Sequence, residues 1–319
     1  MCQPVWVEPA LSEAANIVGS KSTRTTEGVA VAERDGYIAG VPCWVDTNQP
    51  DPAAAAVFYG GLFGWEFEDV TPDESASRYL LARLRGGEVA GISSLPEGAP
   101  AKARWDTYIW VDSADEAAAR ALAAGGTVLR EPFDVTDAGR TAVLADTEGA
   151  VFCVWEAGRH KGARIVNEAG SLNFNVLSCR DVDAAKRFYG AVFDWTALDL
   201  GTGLYWMLTA YGDYLETITP GARERAAAFG APGFADVLAS ITPIADDDPA
   251  NPVHWGVTFS TDDADATAAK AVELGGTVVT PPVDAPYSRL TVIRDPQGAT
   301  FSAAQFVLEN KDIGRGAAS

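Results

Sequence analysis

Histidine, cysteine and basic side chains are scarce in this sequence. Its 319 residues hold two histidines, four cysteines and 24 Lys and Arg against 44 Asp and Glu, a formal net charge of −20. A surface that tracks nucleic-acid phosphates needs clustered cations, so nucleic acid is excluded as an expected partner. Cys2, Cys43, Cys153 and Cys179 show no CxxC spacing and are too few for a disulfide framework; they read as thiols. No apolar run reaches the length of about 18 residues that spans a bilayer, and no cationic segment followed by an apolar one opens the chain. Neither a membrane partner nor secretion is expected, which leaves the cytoplasm. Also missing are a GxxxxGK phosphate loop, a GxSxG elbow and an HExxH helix, so nucleotide and hydrolase readings fall away and no cofactor is expected.

What is present is repetition. With 47% hydrophobic residues and nine tryptophans the chain can bury two cores. The stretch DPAAAAVFYGGLFGW at 51–65 returns as DVDAAKRFYGAVFDW at 181–195, an offset of 130. GGTVLREPFDV at 125 returns as GGTVVTPPVDA at 275, and DTEGAVF at 146 as DPQGATF at 295, where the offset has grown to about 150. The second copy therefore carries about twenty net extra residues.

Each copy divides again. Short alternating strands (CWVDT, TYIWV, NFNVLS, WGVTFS) each precede an Asp-rich turn, an Ala-rich helix and further strands, giving βαβββ four times. Asp51 is placed to cap a helix with Pro52 at its first position, and Gly125 and Gly275 stand where helices end in a left-handed residue. Phe58, Tyr59, Phe188 and Tyr189 lie on the helix face expected to pack on a sheet, and read as core. Residues 1–39 have no counterpart and too little apolar content to hold structure alone, so they are expected to be a poorly ordered extension. Domains follow at 40–160 and 171–307, with a linker at 161–170 and a tail at 308–319. An insertion at 220–252 is expected to form short helices carrying Phe229, Phe234, Val237 and Leu238, either as a lid over a cup or as packing across the interdomain groove.

Paired βαβββ modules carrying FYGGLFGW and GGTV…DTEGAVFCVW resemble the vicinal oxygen chelate superfamily of glyoxalases, extradiol dioxygenases and bleomycin-resistance proteins, in particular its tandem actinobacterial members. The resemblance covers residues 40–307 and implies an α+β fold of two tandem domains, each a cupped mixed sheet. The same fold serves isomerisation, ring cleavage and drug sequestration, so function rests on the site. Metal-using relatives hold an ion in the cup with His, Gln or Glu from four strands. The matching positions are Trp44, Gly91, Asp106 and Cys153 in domain one, and Phe174, Glu216, Gly256 and Ser302 in domain two, with His254 nearby. That set is too poor in ligands for a metal site to be expected.

Alternation in WDTYIWV sends Asp106, Tyr108 and Trp110 into the first cup, where Trp44 and Asp46 join them as a stacking surface for a planar ligand or, equally, as a plug. The second cup is expected to offer Glu216 and Tyr214 from a late strand with His254, Thr258, Ser302 and Phe174. There Glu216 is the leading acid or base, His254 its partner and Tyr214 a donor to oxyanion charge, although His254 also reads as a strand-start residue bonded to backbone. The first functional reading is thus a metal-independent enzyme of secondary metabolism performing dehydration, isomerisation or cyclisation on an aromatic, polyketide-like small molecule. The alternative is a non-catalytic binding and self-resistance protein that holds an aromatic metabolite. A third is a metal-dependent glyoxalase- or dioxygenase-like enzyme. A monomer or a homodimer fits all three.

Overall fold

Local chemistry sets the helices. Asp51 Oδ1 accepts from the backbone N–H of Ala53 and Ala54, and Pro52 opens helix α1 (Pro52–Phe63), which Gly64 closes at φ 72°. Asp181 does the same for α3 (Val182–Phe193) through Ala184. Helices α2 (Ala114–Ala123) and α6 (Ala264–Glu273) run out into Gly125 and Gly275, both at φ 89°, a conformation that costs glycine nothing. The computed structural model describes residues 34–72, 77–95, 102–201, 203–228, 233–248 and 251–313.

Domain one contributes β1 (Pro42–Gln49), β2 (Glu66–Asp69), β3 (Tyr79–Leu84), β4 (Gly87–Ser94), β5 (Arg104–Trp110), β6 (Thr127–Val135), β7 (Gly139–Ala145) and β8 (Val151–Ala157). They form one mixed sheet in the order β2-β3-β4-β1-β5-β8-β7-β6. Domain two repeats it with β9 (Leu172–Cys179), β10 (Thr196–Asp199), β11 (Leu204–Met207), β12 (Val237–Pro243), β13 (His254–Ser260), β14 (Thr277–Ala285), β15 (Ser288–Arg294) and β16 (Thr300–Phe306), in the order β10-β11-β12-β9-β13-β16-β15-β14. In each sheet the two βαβββ modules join through an antiparallel central pair, β1 with β5 and β9 with β13. The architecture is the expected α+β tandem.

The domains meet back to back. Alternation sends Cys43, Val45, Thr47, Trp105 and Ile109 toward the helices and the other domain, while Trp44, Asp46, Asp106 and Tyr108 face away. Helix α1 packs on α6 and α2 on α3, so the first module of domain one shares a core with the second module of domain two, and the inner pair shares another. The repeated motif builds this joint. Tyr59 Oη donates to Asp295 Oδ2 at 2.9 Å and Tyr189 Oη donates to Asp146 Oδ2 at 3.0 Å, each across the domain boundary. Trp65 and Trp195 likewise donate their indole N–H to Gly170 and Gly40 backbone oxygens. Phe58, Tyr59, Phe188 and Tyr189 are all buried core.

Two boundary expectations are corrected. The extra length of domain two lies mainly between β11 and β12, as α4 (Thr209–Ile218), α5 (Ala222–Ala228) and a 3-10 turn (Phe234–Asp236), where domain one has a two-residue hairpin turn. GFADVLASI is therefore mostly strand: its alternating apolar run from Val237 pairs with both β9 and β11 inside the sheet, where backbone groups must be bonded. Phe229 lies outside the described residues. Phe234 is buried against Tyr205, and Phe174 packs on the same tyrosine. The extension also has a folded end. Residues 34–39 dock into the seam, with Arg34 N–H donating to Arg164 O at 2.8 Å and Tyr37 Oη to Ala163 O at 2.7 Å.

Candidate functional site

The cup of domain one is built on two central strands whose register sets Trp44 opposite Tyr108 and Asp46 opposite Asp106. Trp44, Asp46 and Asp106 are buried in its floor; Asn48, Ser93, Tyr79 and Tyr108 are half-buried. Tyr108 Oη donates to Asp46 Oδ2 at 2.9 Å and Tyr79 Oη to the same oxygen at 3.3 Å, while Trp44 Nε1 donates to Tyr79 Oη at 3.1 Å. Asp46 Oδ1 is buried with no partner among the described residues. Asp106 is better held, by Asn48 Nδ2 at 2.6 Å and Arg104 Nε at 2.9 Å. Burial, then the charge of Asp106, push the Asp46 carboxyl up to about 7, against the two phenol hydroxyls. Burial also raises Asp106, with Arg104 opposing.

Gly91 explains how Tyr79 reaches this floor. It pairs with Asp46 on β4, and a side chain there would collide with Tyr79 Oη and meet Asp46 Cβ at 3.0 Å. Glycine thus stands where the resemblance to metal-using relatives implies a ligand, and a phenol fills the space. Cys153 lies on the same face with its thiol driven well up by burial. Among the described residues no three His, Cys, Asp or Glu side chains converge on a point where they could hold an ion. The donors present do not fit the metal of those relatives.

The floor of the second cup is buried at Phe174 and Thr258 and partly exposed at Gly256 and Ser302. Phe174 packs with Tyr205, and Thr258, opposite it on β13 and beside Ser302 on β16, is fully buried. The three residues expected to carry chemistry there are not brought together. Glu216 and Tyr214 stand on helix α4, not on a late strand. Glu216 is occupied in capping the next helix: Oε1 accepts from Arg223 N–H at 2.6 Å and Oε2 from Gly221 N–H at 2.9 Å, and these two bonds, that to Arg223 first, hold its carboxyl below the usual range. His254 is exposed, its Nδ1 2.8 Å from Pro252 O, the bonded strand-start alternative. The true counterpart of Gly91 in domain two is Ser240, because Ser240 pairs with Val176 as Gly91 pairs with Asp46. Counting from the helix missed it, since the connection from β10 to β11 is shorter than that from β2 to β3 and the helical insertion follows. Glu216→Gln is accordingly expected to leave ligand binding and any turnover unchanged, checked by titration calorimetry and product assay; loss of either would return Glu216 to the site.

Trp110 belongs elsewhere. It lines an open groove of about 370 Å3 between the domains, with Tyr37, Lys161, Tyr214 and Ile218. The structure thus joins Trp110 of one domain with Tyr214 of the other, a pairing across 104 positions that no local pattern contains. Tyr79, Asn48 and Arg104 were also missed. Alternation along RYLLARL places Tyr79 on the cup face, but only once the phase of that strand is known.

Comparison with known proteins agrees with the fold. A glyoxalase-like domain model matches residues 44–155, and the glyoxalase/bleomycin resistance protein/dioxygenase superfamily model matches residues 171–302. CFP32 of Mycobacterium tuberculosis (strain CDC 1551 / Oshkosh), which is named as a glyoxylase, is 38% identical over 85% of this chain and 96% of its own length. The anthracycline biosynthesis proteins DauV of Streptomyces sp. (strain C5) and DnrV of Streptomyces peucetius are 34% and 33% identical, each over 84% of this chain and 94% of their own. The Mn(II)-bound glyoxalase from Novosphingobium aromaticivorans superposes with a TM-score of 0.53 at 18% identity, over 84% of this chain and 83% of its own, a likeness of fold alone. With both halves matched and relatives aligned along most of its length, the chain belongs to the glyoxalase/bleomycin resistance/dioxygenase superfamily, the vicinal oxygen chelate proteins, as a tandem two-domain member.

Proposed function

We propose that this protein serves secondary metabolism by metal-independent acid–base chemistry in the cup of domain one, on an aromatic, polyketide-like oxygenated molecule of the anthracycline kind. The observation that carries the reading is a buried carboxyl, Asp46, pushed up to about 7 and bonded to the hydroxyl of a half-buried tyrosine. A group balanced near neutrality is effective as both acid and base. Tyr108 Oη takes a proton from an activated C–H or O–H of the bound molecule as its own proton passes to Asp46. Reversing the transfer returns the proton to a leaving hydroxyl or a ring carbon, which is the balance of a dehydration, isomerisation or ring closure. Asp106, tied by Arg104 and Asn48, stays in place, and its charge strengthens the Asp46 carboxylate as the base that receives this proton. The relatives named for anthracycline biosynthesis support the substrate class.

The test is turnover of aromatic polyketide ketones followed by mass spectrometry. Asp46→Asn and Tyr108→Phe are each expected to lower kcat by about 100-fold or more, with ligand affinity changed only a few-fold. Equal turnover by wild type and Asp46→Asn sinks the assignment. The groove walled by Trp110 and Tyr214 favours one second reading, a binding protein without chemistry. Unchanged ligand recovered after tight binding, with affinity lost in Trp110→Ala, selects it.

A further inference from the structure

Beside the groove, on the other side of Tyr37, lies a smaller cavity of about 40 Å3 lined by Arg34, Tyr211, Asn173 and the starts of β9 and β12. It has room for about two waters or one carboxylate group. Strands β9 and β12 pair only from Val176 and Ser240 onward, so their earlier residues splay and leave this gap.

Two of its lining side chains have donors to spare, Arg34 and the wholly unpartnered Asn173. Arg34 is 8% exposed, and its guanidinium makes one hydrogen bond, Nη2 to Tyr211 Oη at 3.1 Å, with Tyr37 and Tyr211 rings 5.0 and 6.0 Å away. No carboxylate pairs with it among the described residues. Asn173 is 6% exposed, and neither Nδ2 nor Oδ1 has a partner there. A buried cation without a counter-charge is costly, and so is a buried amide without a bond. The repeat sharpens the contrast. Arg164, 130 positions after Arg34, adds a smaller effect to those of His160 and Arg83 in holding the Glu88 carboxyl down. The position equivalent to Glu88 in the second sheet is Val237, so the arginine recurs and the nearby carboxylate does not.

We infer that the Arg34–Asn173 cavity is a binding site for the carboxylate of an organic acid. Guanidinium N–H groups and the Asn173 amide supply converging donors for its two oxygens, and the aromatic groove that shares Tyr37 takes the apolar body. This site is separate from the cup and does not depend on the chemistry proposed for it.

Titration calorimetry with 2-naphthoate and its carboxamide, with and without sodium chloride at matched ionic strength, tests it. Wild type is expected to bind the acid at least tenfold more tightly than the amide. Arg34→Met, which keeps the apolar stem, is expected to bring the two within twofold. Asn173→Leu, read in the same way, is expected to reduce the preference and covers the case in which Arg34→Met does not fold. Equal affinities in wild type, no binding of either compound, or a preference retained in Arg34→Met or Asn173→Leu overturns the assignment. Chloride that abolishes the preference identifies an inorganic anion as the occupant and also overturns it. Asp46→Asn is expected to leave the preference intact.

Discussion

Asp295→Ala is expected to destabilise the folded chain by about 3–5 kcal/mol. Asp295 is 4% exposed and accepts four hydrogen bonds. Oδ1 takes the backbone N–H of Gln297 and Ala299, which shapes the turn between β15 and β16. Oδ2 takes Tyr59 Oη at 2.9 Å and Gln49 Nε2 at 2.7 Å from the other domain. Alanine removes that acceptor from all four donors; Gln49 Nε2 keeps Thr47 Oγ1 and the Gln297 N–H is partly exposed, so the cost of about 1–3 kcal/mol each falls mainly on the buried Tyr59 hydroxyl and Ala299 N–H. Asp146→Ala removes the equivalent acceptor for Glu148, Ala150 and Tyr189 and is expected to cost nearly as much. Because the modules share cores across the boundary, one unfolding transition is expected in urea, followed by tryptophan fluorescence. A loss under about 1 kcal/mol in both variants shows that the tyrosine bonds are incidental to the joint.

The second large effect is a pH dependence. Asp46 goes from an ordinary 3.8 to about 7 on folding, so between those values the native state holds a proton that the unfolded chain has released. A pKa raised by folding contributes its full stability below the unfolded value and loses it as pH rises through the folded one. Stability from this carboxyl therefore falls from pH 4 to pH 7 and is flat above. The three units correspond to about 4 kcal/mol as an upper bound. Asp46→Asn mimics the protonated form, accepting from the tyrosines with its oxygen. It is expected to match wild type near pH 4 and to be several kcal/mol more stable above pH 7. Arg104, Asp106, Tyr79 and Tyr108 face Asp46 in both proteins, so the difference between the two stability curves isolates Asp46. Parallel curves across this window contradict the placement of its titration.

Much of the first cup was legible because a strand is a local object. Once WDTYIWV reads as alternating, Asp106 and Tyr108 must share a face, and Trp44 and Asp46 follow from the pairing of the two module-opening strands. Tyr79 was not legible: its phase depends on the length of the β2–β3 connection. Glu216 failed for the same reason in reverse, since an offset carried through a region of unequal connections loses its register. Arg34 was hidden because a segment without periodicity reads as a tail, and only its docking between Tyr37 and Tyr211 gives it a place.

Sequence alone determined the number of domains, the four modules, the helix caps and the identity of the core-facing aromatic residues. Those depend on periodicity and on bonds within a few residues, which the chain states directly. Tertiary structure decided where the open groove lies, where the added helices sit, and which polar groups end without partners. Each of those is the outcome of elements far apart in the chain competing for one volume, and no local pattern records who occupies it.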